Sequence, residues 1–407
     1  MSEIEPSRRR IDSVDLLRGI VMVIMMLDHT RDFVHNAAFQ FDPTDPTRTN
    51  VALFFTRWIT HFCAPVFVFL AGTGTYLQFL RGKSKGELSK FLVTRGLWLI
   101  VLEVTLVRFG VFFNFDIRFV GFLQVIWVIG VSMIILAVLI HIPLKVVAAF
   151  GLAMILFHNL LDGFTVQSWR GPESPVPSLL QKQWIFLHQP FEAVPVLWFF
   201  PSPVVFVVYP LVPWIGVMAV GYAFGVFYKF DAERRRRLLL IIGGVATGLF
   251  IVMRAVDVYG DANKWSPQKN IVYTALSFLN TTKYPPSLLF LLMTLGPAIL
   301  ALVYFESRSS HGRIGQFFVT FGRVPLFFYL LQWYTAHIIS ILLHLAFGKP
   351  IAWLFKSPLD FSTPTGVGFN LVTVYVAWIV GVLLLYPLCK WFAGVKQRRR
   401  DWWLSYL

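Results

Sequence analysis

The sequence predicts an all-α fold, a polytopic transmembrane helical bundle of about ten spans with both termini in the cytoplasm. Three observations carry that reading. Of 407 residues, 57% are hydrophobic and only 14% charged, too little polar surface for a soluble chain of this length to cover itself. The apolar residues fall in runs that match the roughly 20 residues a helix needs to cross a bilayer. The basic residues gather between alternate runs, which is the positive-inside pattern. That distribution also excludes nucleic acid as the partner behind the net charge of +15.

Residues 1–15 read as a basic cytoplasmic N-terminus. They carry Arg8, Arg9 and Arg10, and they read as retained rather than as a cleavable signal, because no small-residue cleavage site follows. Apolar runs then place helices at about 16–35, 53–80, 91–112, 119–141, 145–161, 203–228, 238–256, 286–305, 324–346 and 367–393. Together they make one membrane domain, 16–393, followed by a basic cytoplasmic tail, 394–407. With the N-terminus inside, the segments RGKSK, KFDAERRRR, SRSSHGRIG and KQRRR all fall on the inner side. The outer stretches 36–52, 162–202, 257–285 and 347–366 have sparser basic residues, mixed with acids. The longest of them, 162–202, is rich in Pro and aromatics, which argues against a continuous helix. Its aromatics suit the membrane interface or the cover of a pocket. Cys63 and Cys389 sit in separate apolar runs, so no disulfide and no metal site is expected. Small residues in APVFVFLAGTGTYL and PWIGVMAVGYAFGVFY read as close helix packing rather than as an internal repeat.

The first run is unusual. Its outer end, MMLDHTRDFVH, holds Asp28, His29, Arg31, Asp32 and His35. On a helical wheel these groups, Arg18 and Asn36 fall mostly within an arc of about 120°, while the rest of the helix is Leu, Ile, Val and Met. If Leu16 marks the inner boundary, His35 lies about 28 Å away, near the outer one. His29 and Asp28 are then buried by about 9–11 Å. An ionised Asp at that depth costs about 3 kcal/mol unless neighbours or a wet cavity compensate. Arg31 reads as a solvated helix end. Arg18 sits at the other end of the stripe, about 16 Å from His29 and about 25 Å from His35. A cationic inner mouth and an imidazole–carboxylate outer mouth point to a reagent whose anionic part stays inside while its reactive end reaches outward.

Other polar groups lie in the apolar runs. Arg57 and His61, on adjacent turns of the second run, suit either the lining of an acceptor pocket or hydrogen-bonded packing. Glu103 and Arg108 read as structural, paired either with each other or across helices. His337 and His344 share a face of the ninth run and read as packing or pocket lining, since a metal would need more ligands. Lys283 and Tyr284, just before PPS, stand where they could touch an acceptor.

Five segments, VDLLRGIVMVIMMLDH, APVFVFLAGTG, YPLVPWIGVMAVGYAFG, KYPPSLLFLLMTLGPAIL and FGRVPLFFYLLQ, resemble in the same order the heparan-α-glucosaminide N-acetyltransferase family, and more closely its shorter bacterial relatives. The resemblance implies acetyl transfer from cytoplasmic acetyl-CoA, as donor substrate, to an amino sugar across the membrane. It also implies an inner-membrane, multi-pass location. In lysosomal members the active-site pair is an Asn near the outer end of the first span and a His after it. By position Asp28 stands at the Asn, and His35 matches the His. In the wider membrane acyltransferase superfamily a His lies eleven residues after the Arg of an RG pair, the relation of His29 to Arg18. Both histidines are therefore carried as catalytic candidates with Asp28. Gln332 departs from the His expected at the end of FFYLLQ.

A neutral His accepts a proton from an amine or hydroxyl nucleophile, and a carboxylate can orient it. A His can also carry the acetyl group covalently. Arg18, Arg95 and Arg323 are the candidates for the phosphates of CoA. Arg95 fits plain positive-inside topology equally well, and Arg323, just before Pro325, reads as a helix start. Asp32, Arg57, His61, Lys283 and Tyr284 are the candidates for binding the acceptor. A homodimer is compatible with such a bundle. The rival reading is a small-molecule or glycan transporter or flippase without covalent chemistry, which would also place polar groups at depth but would more often show interrupted helices at matching repeat positions.

Overall fold

The computed structural model describes residues 11–171, 173–196, 203–307, 312–360, 366–399 and 401–406. It is mostly helical. Helix α1 (Asp12–Val34) fills the first run, with Asp12 and Asp15 in its first turn, where they complement the helix dipole. The second run is α2 (Val51–Trp58), a 3-10 turn (Ile59–Phe62) and α3 (Cys63–Leu80). The Asn50 side chain caps α2 by accepting from the Leu53 amide. The third run is α4 (Lys85–Leu102), a π turn (Glu103–Val107) and α5 (Arg108–Phe112). A Ser84–Glu87 capping box starts α4. Then come β1 (Phe119–Leu123), α6 (Val125–Leu139), α7 (Leu144–Phe157), α8 (Leu179–Leu187), β2 (Glu192–Pro195), β3 (Val204–Val207), α9 (Trp214–Phe224) and α10 (Ala232–Val256). The chain finishes with α11 (Ile271–Leu279), α12 (Leu288–Ser307), α13 (Arg313–Arg323), α14 (Pro325–Ala346) and α15 (Leu371–Arg398).

Helix thus occupies part of each of the ten apolar runs. Among the described residues, six stretches are both long and apolar enough to cross a membrane: Val51–Leu80, Leu144–Leu161, Ala232–Val256, Leu288–Ser307, Pro325–Ala346 and Leu371–Arg398. Helices α6 and α9 are apolar but shorter.

The all-α expectation needs correcting at two places. The runs 119–141 and 203–228 each begin as a strand, and β1 and β2 flank β3 in a three-stranded sheet, parallel on one side and antiparallel on the other. Apolar runs of this length do not distinguish a buried strand from a helix. Here Val, Phe and Gly121 fit the sheet, which closes a small core of Leu123, Ile185, Val194, Val205 and Val207 under α8. Helix α13 was not expected either. Its sequence RIGQFFVTFGR buries Val319, Phe321 and Gly322, in a segment too short to span.

Helix α1 is enclosed by α3, α12, α13, α14 and α15. Its approach to α13 is backbone on backbone. A Cβ on Gly19 would lie 1.8 Å from the Phe318 carbonyl oxygen, and one on Gly322 would lie 1.8 Å from that of Asp15. Trp378 Nε1 donates to the Val23 carbonyl at 2.8 Å, and Ser340 Oγ donates to the Phe33 carbonyl at 2.7 Å, tying α15 and α14 to the same helix.

Candidate functional site

The stripe on α1 opens into two cavities, one at each end. The cavity at the C-terminal end of α1, called outer after the topology expected from the sequence, is about 1030 Å³ and is lined by Asp28, His29, Arg31, Asp32 and His35 of α1 and its C-cap. Arg57 joins them from α2, with Lys283 and Tyr284 from the loop before α12. Seven of these were nominated from sequence. His61 is not among the lining residues. It is buried behind Arg57, its ring 5.3 Å from that of Phe290.

Asp28 does not orient an imidazole. One carboxylate oxygen lies 2.9 Å from Arg31 Nη1, and the other accepts from Arg57 Nη1. Arg31 Nη2 reaches Asp32 Oδ1 at 2.6 Å. Two guanidiniums and two carboxylates thus alternate in one chain, which is how charges survive away from water. Arg31 is only 4% exposed, which corrects the expectation of a solvated helix end. From α2, Arg57 reaches the same carboxylate, Asp28.

The two histidines stand in different environments. His29 is stacked on Trp333, with centroids 3.6 Å apart and planes inclined by 18°. Its Nδ1 has no hydrogen-bond partner among the described residues. The fully buried Gln332 lies beside it, and neither end of that amide is hydrogen-bonded among the described residues. His35 caps α1, and its Nδ1 accepts from the Ala37 amide at 3.2 Å. An imidazole engaged that way carries its neutral-state proton on Nε2. The backbone around His35 is pinned by the segment before α15, where Asn36 N donates to Phe369 O at 2.9 Å and Phe369 N donates to Val34 O at 2.7 Å. Tyr284 and Tyr209 close one wall, their hydroxyls 3.5 Å apart.

The inner cavity, about 610 Å³, gathers all three cations nominated for phosphate, Arg18, Arg95 and Arg323, together with Arg81, Lys83 and Lys396. Its deeper wall is apolar, with Met22, Phe67, Leu70 and Leu326. Arg18 Nη1 donates to Asp15 Oδ1 at 3.1 Å and to the Gly322 carbonyl at 3.3 Å. Arg323 closes α13 rather than opening a helix, since α14 begins at Pro325. Its Nε is buried without a partner among the described residues, and Asp12 Oδ1 is 3.8 Å from its Nη2. Met22 and Tyr329 line the inner cavity, and His29 and Trp333 line the outer one. Along α1 the closed stretch from Met22 to His29 is about two turns, roughly 10 Å.

Glu103 and Arg108 do not pair with each other. Glu103 accepts the Trp127 amide at 2.9 Å at the start of α6, and Arg108 donates to the carbonyls of Asn114, Asp116 and Phe119. Both are structural. His337 is packed between Phe33 and Phe113, and His344 bonds the Ser340 carbonyl. Among the described residues no three of His, Cys, Asp and Glu gather as a metal cluster. Cys63 and Cys389 are both buried free thiols. Sequence reading missed Trp333, Gln332 and Tyr209 as site residues. Gln332 had one signal, the departure at the end of FFYLLQ; the two aromatics were hidden in apolar runs.

Fold and site define a helical, multi-pass membrane protein with a cationic cavity and an imidazole–carboxylate cavity on one central helix. The family model described as heparan-alpha-glucosaminide N-acetyltransferase, catalytic, matches residues 10–253. That is well over half of the chain, and the chain belongs to this family, whose description is that of an acetyltransferase. The match takes in α1 through most of α10. Lys283, Tyr284, Gln332 and Arg323 lie beyond its end, as do two of the five segments that carried the resemblance. No curated protein matches the chain.

Proposed function

We propose that this protein is an integral-membrane acetyl- or acyltransferase that takes an acyl group from cytoplasmic acyl-CoA and delivers it to an amino sugar or other glycan at the outer face. The topology that fits is a single membrane domain, 16–393, of ten spans in the inner membrane, with residues 1–15 and 394–407 both cytoplasmic. The observation that carries the reading is the pair of cavities on α1. The inner one offers Arg18, Arg95 and Arg323 to the phosphates of CoA and apolar walls to its pantetheine arm. The outer one offers histidines beside a buried carboxylate.

The chemistry asks little of the donor, since a thioester is already activated. The acceptor needs a base. His29 suits that role better than His35, because its Nδ1 lone pair is uncommitted whereas that of His35 already accepts a backbone amide. His35 then presents Nε2–H as a hydrogen-bond donor. Asp28 holds Arg31 and Arg57 in place, and Asp32, Arg57 and Tyr284 contact the acceptor.

Purified protein given radiolabelled acetyl-CoA and a panel of amino sugars tests the reading. Transfer or thioester hydrolysis that is lost in His29→Ala supports it. Intact acetyl-CoA alongside saturable binding of a sugar would mean a transporter instead.

A further inference from the structure

The loop between α11 and α12 carries a feature of the outer cavity that its histidines and guanidiniums do not explain. Lys283 is 9% exposed, lines the cavity, and has neither a hydrogen bond nor an ion pair among the described residues. Its charge acts on Asp28, His29 and His61. Arg31 and Arg57 are already committed to carboxylates. Lys283 is therefore a lining cation that is still available to a ligand.

Its loop is held with unusual completeness. Asp261, 4% exposed and outside the cavity lining, accepts four hydrogen bonds. Oδ1 takes the Thr282 hydroxyl at 2.6 Å and the Asn263 amide at 2.8 Å. Oδ2 takes the Thr282 amide at 2.9 Å and the Ser287 hydroxyl at 2.6 Å. Ser287 N donates back to the Thr282 carbonyl at 2.9 Å, closing the loop on itself. From the other side His158 Nε2 bonds the Pro286 carbonyl at 2.9 Å, and Asn159 accepts the Leu288 amide at 2.9 Å. A buried carboxylate satisfied this fully fixes its partners. What it fixes here is the backbone on either side of Lys283.

We infer that Lys283 is a catalytic residue that stabilises the oxyanion of acyl transfer, and that Asp261 is the positioning residue that holds it there. This rests on the transferase reading. In the step, the acceptor amine attacks the thioester carbonyl carbon and a C–N bond forms. The carbonyl π pair moves onto oxygen, where the Lys283 ammonium meets the developing charge. His29 takes the amine proton. The C–S bond then breaks, the pair returns from oxygen to carbon, and the CoA thiolate leaves with that proton.

The experiment is steady-state kinetics on the full-length protein in liposomes, using acetyl-CoA and the amino sugar that the wild type acetylates fastest. Wild type without turnover on any amino sugar or other glycan overturns the transferase reading and this inference with it. With wild-type turnover present, Lys283→Met should lower kcat on the order of 100-fold, with the acceptor KM little changed, and Lys283→Arg should restore part of the loss. Asp261→Asn, and the milder Thr282→Val, should lower kcat in the wild-type background and do nothing further in Lys283→Met. Three results would each overturn the inference alone: kcat retained in Lys283→Met, a change confined to KM, or an Asp261→Asn loss that persists undiminished in the Lys283→Met background.

Discussion

Asp28 decides how the outer cavity is held together. Its two oxygens face two guanidiniums, so removing it leaves Arg57 buried and unmatched and Arg31 with Asp32 alone. Breaking one side of a buried charge pair costs about 3–5 kcal/mol. Asp28→Ala should therefore lose that much stability in thermal unfolding of the solubilised protein, and Asp28→Asn less; a change under about 1 kcal/mol would mean that water reaches both guanidiniums. The histidines divide differently. His29→Ala should lower transfer by about 10²–10⁴-fold, and His35→Ala by less, since His35 donates rather than accepts. Equal losses would return the two to the same footing. The polar stripe was legible because 3.6-residue periodicity is local to α1. Its partners were not. Arg31 was assigned to solvent because depth was judged from α1 alone, whereas its burial depends on the elements packed around α1, whose paths no spacing encodes.

Close approach between elements gives the next tests. Gly322 has the Asp15 carbonyl where its Cβ would be, so Gly322→Val must push α13 off α1, and with it Arg18 and Arg323 apart. Loss of a monodisperse peak in size-exclusion chromatography is the expected result, and unchanged elution would show that α13 can move aside. Gly368 is a gentler probe. A Cβ there would lie 2.5 Å from Asn36 N and from the His35 carbonyl carbon. Gly368→Ala should displace His35 and weaken transfer while leaving acetyl-CoA binding in the inner cavity intact. The outer cap is tied to the bundle by Asp162, whose oxygens meet His188 Nε2 at 3.0 Å and Asn159 Nδ2 at 2.8 Å. Burial pushes its carboxyl upward, but the hydrogen bonds from His188 and Asn159 outweigh that and hold it below the usual range. A lowered folded value means the tie is present at neutral pH and fades as pH falls below about 4. Pepsin cleavage at Phe164 and at the leucines beyond it should rise across that window in wild type, and Asp162→Asn should be cut readily throughout. The ten apolar runs were legible because each holds enough Leu, Val, Ile and Phe to demand burial. The strands and α13 were not, because a five-residue apolar run and an eleven-residue amphipathic one gain their identity only from what they pack against.

The whole molecule makes a claim about sides. Arg81, Lys83 and Lys396 line one cavity with Arg18, Arg95 and Arg323, and the histidines of α1 line the other, about 16 Å along the same helix from Arg18 to His29. CoA carries several phosphate charges and does not cross a bilayer unaided, whereas its pantetheine arm is long and weakly polar. If the phosphates stay among the arginines, only the thioester end needs to pass Met22 and Tyr329 to reach His29. Donor and acceptor should then never share a compartment. In inside-out vesicles, with acetyl-CoA outside and an amino sugar enclosed, labelled acetyl sugar should accumulate in the lumen. In right-side-out vesicles, externally added acetyl-CoA should stay intact. Arg18→Ala and Arg323→Ala should raise the KM for acetyl-CoA and leave the acceptor KM unchanged, because the two substrates meet the protein at opposite ends. Product released on the side of the acetyl-CoA would break the geometry. It would mean that the inner cavity admits both substrates and that the outer one serves some other purpose.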